Sequence, residues 1–486
     1  MFFSYILIFT ILLEKNKIVS PYLIFPLEYL PLKNYKFIRN NNIDENIPEE
    51  VIKKIYYKNI ITKLEIGTPS KKYPFLIETN KERFYLSNFD SKKESKFYLF
   101  EKSEYYNESE SSTYVNTTSE NKYSNKKYNF EDLVNFNINK KYSKSKFPLK
   151  IELDTDENPP GYIGLLYNDS NYEYSRGFIT ELKMSKLIDN HYWFFDFDEF
   201  VPLDMKIKGR FIVGNLSHEV FPKKYSFDDL ETTSSAEGYL MSRAWHLNLN
   251  KIYIDNEPEK TIELNNKIMT FEYEIYNIIA SMEFHFEIRD LFMDKLVEEK
   301  KCFISNFSQN IYSSYNLTFY YCLKSTKDIL YQKMPNLKFS CVELDYIFEL
   351  TKEELFYEKG DYIYFMILFT KYESITHWIM GQIFTSKYNF VFNSDKKQIG
   401  FYKKVNHLID DDKIDKKNYK TIIMIIAIIC LAVVFKIIGL VLGKKIFGMR
   451  RKIIANELTD ELEYDYKIND DNNYRPDNNQ NNLNEK

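Results

Sequence analysis

Among the residue types that do chemistry, histidine is scarce: His191, His218, His246, His285, His377 and His407 are the six. No two of them stand at the spacing of a metal-ligand pair, so no structural metal is expected. Asp196, Asp198 and Glu199 could suggest a cation loop, but the pattern of a calcium hand is missing and a solvated acidic turn is the expected reading. The chain has no glycine-rich phosphate loop and no Ser-His-Asp motif, and no cofactor is expected.

Of the four cysteines, Cys430 lies in a long apolar run, which leaves Cys302, Cys322 and Cys341. The favoured reading pairs Cys302 with Cys322 and leaves Cys341 as a buried thiol, although spacing does not fix the connectivity. Glycosylation sequons begin at Asn107, Asn116, Asn168, Asn215, Asn306 and Asn316, all on the N-terminal side of that run. In an asparagine-rich chain each sequon is weak, and only their common side carries weight.

The elements that position these residues begin with the two ends. Met1 to Leu13 is apolar and too short to span a bilayer comfortably. It reads as a signal-peptide core, with a buried N-terminal strand as the alternative. Ile422 to Leu442 is apolar apart from Lys436, long enough to cross a hydrocarbon core of ~30 Å. Lys444, Lys445, Arg450, Arg451 and Lys452 follow it, which predicts that this side is cytoplasmic. A single-pass type I protein of the secretory pathway or cell surface is therefore expected, its ectodomain lumenal or extracellular. Net charge is −4 with both signs interleaved, so there is no nucleic-acid footprint.

Between the ends, from Lys58 to about Lys404, short β-branched and aromatic runs alternate with Asn, Asp, Ser, Pro and Gly, which predicts a mainly β ectodomain. Pro21, Pro26 and Pro31 predict extended edge segments. Helical periodicity is confined to short pieces such as Phe178–Ile188 and Phe286–Val297. Ser87 to Asn129 is polar and expected to contain loops, and Asn406 to Lys417 is a charged stalk.

A series of motifs then occurs in order: Ile66-Gly-Thr-Pro69, Ile77-Glu-Thr-Asn80, Ser111-Ser-Thr-Tyr114, Pro160-Gly-Tyr-Ile-Gly-Leu165, Gly209-Arg-Phe-Ile-Val-Gly214, Trp245-His-Leu-Asn-Leu249, Pro335-Asn-Leu-Lys-Phe339, Trp378-Ile-Met-Gly-Gln-Ile-Phe384, Phe390-Val-Phe-Asn393 and Gln398-Ile-Gly-Phe401. Their order and spacing resemble the pepsin-like aspartic peptidase family across essentially the whole ectodomain. The resemblance implies a bilobal fold of two β-barrel lobes with a central cleft. Combined with the readings of the two ends, the expected organisation is a signal peptide over 1–19, lobes over 20–240 and 241–405, a stalk over 406–420, a transmembrane helix over 421–442 and a disordered cytoplasmic tail over 443–486.

The resemblance also implies that the chemistry is lost. Family members hold two aspartates ~3 Å apart around one water, each in an Asp-Thr-Gly loop. Here Glu78 falls on the first aspartate, Thr79 on the threonine and Asn80 on the glycine. The second aspartate position is Thr270 or Glu272 according to alignment, and neither is followed by Thr-Gly. Glu272 and Glu274 are expected as solvated strand carboxylates. The flap between Tyr114 and Asp132 has no glycine, and neither Tyr123 nor Tyr128 has the Tyr-Gly pairing. Asp154-Thr-Asp156 is read as a turn. Three functional readings follow: a non-catalytic ectodomain that grips an extended peptide or protein, a divergent endopeptidase using Glu78 and Glu272, and an adhesive glycoprotein with a filled cleft.

Overall fold

The punctuated apolar runs do form strands, and the chain is mainly β. In this computed structural model the described residues are 21–29, 60–79, 83–87, 102–117, 127–136, 145–154, 160–166, 177–197, 209–235, 245–254, 261–308, 316–370, 377–404, 436, 438–440, 442–456 and 458–459. The expected signal peptide, stalk and sequon Asn168 lie outside them, as do Asn80, Tyr123 and most of the expected transmembrane segment. By its contacts the chain divides once, after His407.

Among the described residues, three sheets build the first unit. An eight-stranded sheet uses residues 28 to 164, and an eleven-stranded sheet uses residues 246 to 380. A six-stranded sheet takes Leu23–Pro26, Tyr192–Phe197 and Gly209–Val213 from the early chain, and Leu230–Ser234, Val391–Asn393 and Gln398–Tyr402 from the late chain. Leu23–Pro26, with its proline, sits at the edge of that sheet, and Glu28–Tyr29 at the edge of the eight-stranded one. An edge strand can spare the N–H that proline lacks.

Aromatic packing joins the six-stranded sheet to the rest. Trp193 stacks on Phe392 at 4.2 Å between centroids and meets Trp245 edge-on at 5.9 Å. Trp245 donates its indole N–H to the carbonyl of Leu165 at 2.9 Å, tying the start of the late chain to the early sheet. A fully buried large side chain contributes on the order of 1.5–3 kcal/mol, so this centre is a main source of cohesion.

Two motifs far apart in sequence meet early in the fold. Gly67 has φ +88°, and a Cβ on it would lie 2.9 Å from the Ser111 hydroxyl, so glycine is required there. The Thr68 N–H donates to Ser111 Oγ at 3.2 Å, and the Thr113 hydroxyl donates to Asp132 Oδ1 at 2.6 Å. Tyr106 donates to the other oxygen of Asp132 at 2.8 Å. The Ile-Gly-Thr-Pro turn is thus fastened to the Ser-Ser-Thr-Tyr segment.

Several local expectations change. The helix expected over Phe178–Ile188 stops at Met184, because Lys186 turns to φ 57° and Leu187 and Ile188 return to the core. The helix expected to begin at Phe286 begins at Met282, widens through a π turn at Arg289–Met293 and ends at Glu298. Asp196 is not part of a solvated turn. It lies in the strand Tyr192–Phe197, wholly buried, and accepts from Arg210 at 2.6 Å, Lys224 at 2.7 Å and Tyr225 at 2.6 Å. The strand's aromatic run carries Asp196 inside, and Arg210 stands directly opposite in register. A carboxylate so deep survives only with partners of this kind.

The expected pairing Cys302–Cys322 is a disulfide that links directly opposed residues of Cys302–Ser308 and Asn316–Leu323. Cys341 is a buried thiol whose pKa burial pushes well up. The second unit has a helix at 442–456, so the tail expected to be disordered from Gly443 is helical in its first turns. Its Lys, Arg, Ile and Met residues are compatible with helix and no proline interrupts it. Among the described residues no helix is long and apolar enough to cross a membrane. Of the expected span 421–442, only 436, 438–440 and 442 are described, and these are helical.

Candidate functional site

The strand Lys71–Glu78 runs parallel to Gly161–Gly164, setting Glu78 against Gly164. After a loop, Phe84–Ser87 returns antiparallel along the other side of the same short strand, with Phe84 opposite Ile163. Gly161–Gly164 therefore threads between the two arms. The close passage explains its glycine: a Cβ on Gly161 would lie 2.8 Å from the Phe75 ring and 2.9 Å from the Pro74 carbonyl. Leu165 N–H then donates to the Glu78 carbonyl at 2.9 Å, and Gly164 N–H to the Arg83 carbonyl at 2.7 Å.

The late chain repeats this arrangement. Thr261–Phe271 runs parallel to His377–Met380, with Phe271 against Met380, and Ile278–Ala280 returns antiparallel to it. Extending that register by one residue sets Glu272 against Gly381, as Glu78 stands against Gly164. Five residues separate Glu78 from Phe84, and five separate Glu272 from Ile278. The register therefore aligns Glu272, not Thr270, with Glu78. Thr270 is buried in the strand and donates its hydroxyl to the Trp378 carbonyl at 3.0 Å. The passage is close here as well, since a Cβ on Gly381 would lie 2.2 Å from the Asn277 carbonyl oxygen.

The two loops meet. Thr79, 3% exposed, donates its backbone N–H to Glu274 Oε1 and its hydroxyl to Glu274 Oε2 at 2.9 Å. Glu274 is 8% exposed, so the expected solvated strand carboxylate is instead a buried loop carboxylate. The reason is its partner: an acceptor with two oxygens satisfies two donors that burial would otherwise orphan. Glu272, two residues earlier, is half-buried. Glu78, 7% exposed, accepts from the Tyr162 hydroxyl. Tyr162 itself stacks on Tyr85 at 5.0 Å.

Below the second loop, Gln382 is buried and donates its side-chain N–H to the Tyr273 carbonyl at 2.5 Å. Tyr273 and Tyr276 are buried and their phenols are pushed well up by that burial, so neither is a source of phenolate. Asn277 is fully buried, and neither atom of its side-chain amide has a hydrogen-bond partner among the described residues. The strand Val115–Asn116 pairs with Lys127–Phe136 at the expected flap, and Tyr128 lies in that second strand opposite Leu153.

Sequence reasoning missed three of these residues. Nothing in the composition or spacing marks Glu274 as the one that reaches Thr79, because the contact spans 195 positions. Tyr162 was visible only as part of a strand motif. Gln382 could have been found, since it stands where the resembling family carries an aspartate after Ile-Leu-Gly.

The sequons are placed unevenly. Asn107 and Asn116 are exposed, Asn306 is half-buried and accepts from Thr318 at 2.7 Å, and Asn316 begins a strand. Asn215 is 1% exposed, which argues against a sugar on it in the folded chain. Among the described residues no group of three or more His, Cys, Asp or Glu could hold a metal ion. No protein-family model matches the sequence, and no curated protein matches it with significant similarity.

Proposed function

We propose that the chain is a pepsin-like aspartic peptidase homologue without proteolytic activity, a bilobal ectodomain that binds an extended peptide or protein in the cleft between its lobes. Two threaded loops facing one another, each opened by a carboxylate, support the fold assignment. One observation carries the loss of catalysis. With Glu272 taken at the aspartate position, Glu274 falls where the resembling family's Asp-Thr-Gly has its glycine, and its carboxylate accepts from the N–H and O–H of Thr79. Peptide hydrolysis by a carboxylate pair needs both acids free to share a proton and a water, with bare backbone beside them. Glu78 is instead tied to Tyr162. Binding by strand-like hydrogen bonds needs none of this machinery. The apolar segment 421–442 would hold the ectodomain on a membrane of the secretory pathway.

A second reading is favoured by one fact: Glu78 and Glu272 stand at matching positions, so a glutamate dyad could replace the aspartates. The two readings separate in one assay. The full chain is incubated with a randomised peptide library from pH 3 to 7, with and without a statine-type inhibitor. No inhibitor-sensitive cleavage is expected, and peptides retained by the protein would report its ligand. Cleavage abolished by Glu78→Gln and by Glu272→Gln would establish the dyad and overturn the inactive reading.

A further inference from the structure

The helix at 442–456 exposes large apolar side chains along its whole length. Leu442, Ile446, Met449 and Ile453 recur at helical spacing and make one stripe, and Phe447, Ile454 and Leu458 make a second beside it. Each of these seven side chains is more than half exposed. The opposite half of the helix carries Lys444, Lys445, Arg451 and Lys452. Arg450 falls between the apolar stripes, and its long stem lets the guanidinium reach outward from such a position. The Arg451 guanidinium lies 5.8 Å over the Phe447 ring, at the border of the two halves.

The charge pattern names what covers such a helix. No Asp or Glu occurs from Lys416 through Asn456, and the first acid after the basic cluster is Glu457. A soluble protein partner with an apolar groove would not require a polar half made of cations without a single acid. An anionic lipid surface requires both, since acyl chains take the apolar half and headgroups take the cations. The apolar run 422–442 immediately before it would deliver the helix to that surface.

We infer that residues 442–456 form an interfacial helix that lies in the headgroup region of an anionic leaflet, with Ile446, Met449 and Ile453 in the acyl chains and Lys444, Lys445, Arg451 and Lys452 on the phosphates. This rests on the reading that 421–442 spans the membrane. A cation held near an anionic surface strengthens binding by roughly fivefold, so four together make the docking depend on lipid charge.

The test uses the full chain in nanodiscs of phosphatidylcholine alone or with phosphatidylserine, followed by hydrogen exchange of the amides of 444–456. Exchange roughly tenfold slower in the anionic discs is expected. That protection should be lost in the variant Lys444→Gln, Lys445→Gln, Arg451→Gln, Lys452→Gln. It should also be lost in Ile446→Ser, Met449→Ser, Ile453→Ser, which keeps every charge and so separates an embedded helix from a loose basic segment. Equal exchange in the two lipids overturns the inference. So does protection in neutral discs that grows with the number of chains per disc, which would assign the face to a second copy. If the chain does not enter discs at all, the spanning reading fails by itself. Flotation of the same chain with preformed phosphatidylserine vesicles, and not with phosphatidylcholine vesicles, then upholds the helix, and no flotation overturns it.

Discussion

In the first threaded loop Thr79 presents a backbone N–H and a hydroxyl, while in the second Glu274 presents a carboxylate that takes both. The loops have equal length and enclose their short strands in the same register sense, yet in this contact between Thr79 and Glu274 the first loop donates and the second accepts. A pair of loops built for hydrolysis would be near copies, each holding one acid toward a shared water. These are complementary instead, as the two sides of a joint are. The difference teaches that a repeated backbone framework does not fix what its loops carry, because threading depends on backbone passage whereas the wiring depends on the side chains placed on it.

The largest effect tests that passage. In Gly381→Ala the new Cβ would lie 2.2 Å from one backbone oxygen and 2.6 Å from another, the carbonyls of Asn277 and Ile275. Backbone on both sides cannot yield, and a loss of about 3 kcal/mol or more is expected in urea unfolding. Gly161→Ala meets the Phe75 ring as well as one carbonyl, and a ring can shift, so roughly 1–3 kcal/mol is expected. Equal costs would show that these two glycines are equally hemmed in and remove this asymmetry.

Next comes the joint itself. Glu274→Ala leaves the buried N–H and O–H of Thr79 without their acceptor, at a cost of about 2–3 kcal/mol. A double-mutant cycle with Thr79→Val sharpens the comparison, and a coupling energy of about 1 kcal/mol or more is expected. Additivity of the two changes would mean that the loops merely touch.

A smaller effect is expected at Glu78, the residue that opens the first loop. Tyr162→Phe removes the hydroxyl that Glu78 accepts from but keeps the stacking on Tyr85, so about 1–2 kcal/mol is lost. If the same variant also gained inhibitor-sensitive cleavage in acid, Tyr162 would be the residue that holds Glu78 out of catalysis, and the fold would be a latent enzyme.

How much of this was legible follows from what each feature depends on. Strands and edge prolines are local, and Leu23–Pro26 or Gly209–Val213 could be read from alternation and punctuation. The disulfide was legible because few cysteines leave few choices. Asp196 was misread because an Asp-x-Asp-Glu string looks like surface, and only the partners Arg210, Lys224 and Tyr225 from other segments make it core. Glu274 was misread for the same reason, its partner being in the opposite loop. Long-range charge satisfaction leaves no local pattern, so the site's framework could be read and its wiring could not.

The smallest expected effect reports on the second thread through pH. His377 opens the strand His377–Met380, opposite Ile268, and burial holds its imidazole below the ordinary histidine value of 6.5. The folded state therefore prefers the neutral ring, whereas the unfolded chain takes up a proton near 6.5. Its contribution to stability is complete above that pH and is lost as the pH falls through 6.5 toward the folded value. The urea midpoint should fall more between pH 7.5 and 5.5 in the wild-type chain than in His377→Gln, and the imidazole resonance should titrate below 6.5. The first thread has no histidine in Gly161–Gly164, so this dependence belongs to the second thread alone. An unchanged pH response in His377→Gln would return the two threads to parity on this point, and the asymmetry would then rest on Gly381 and Glu274.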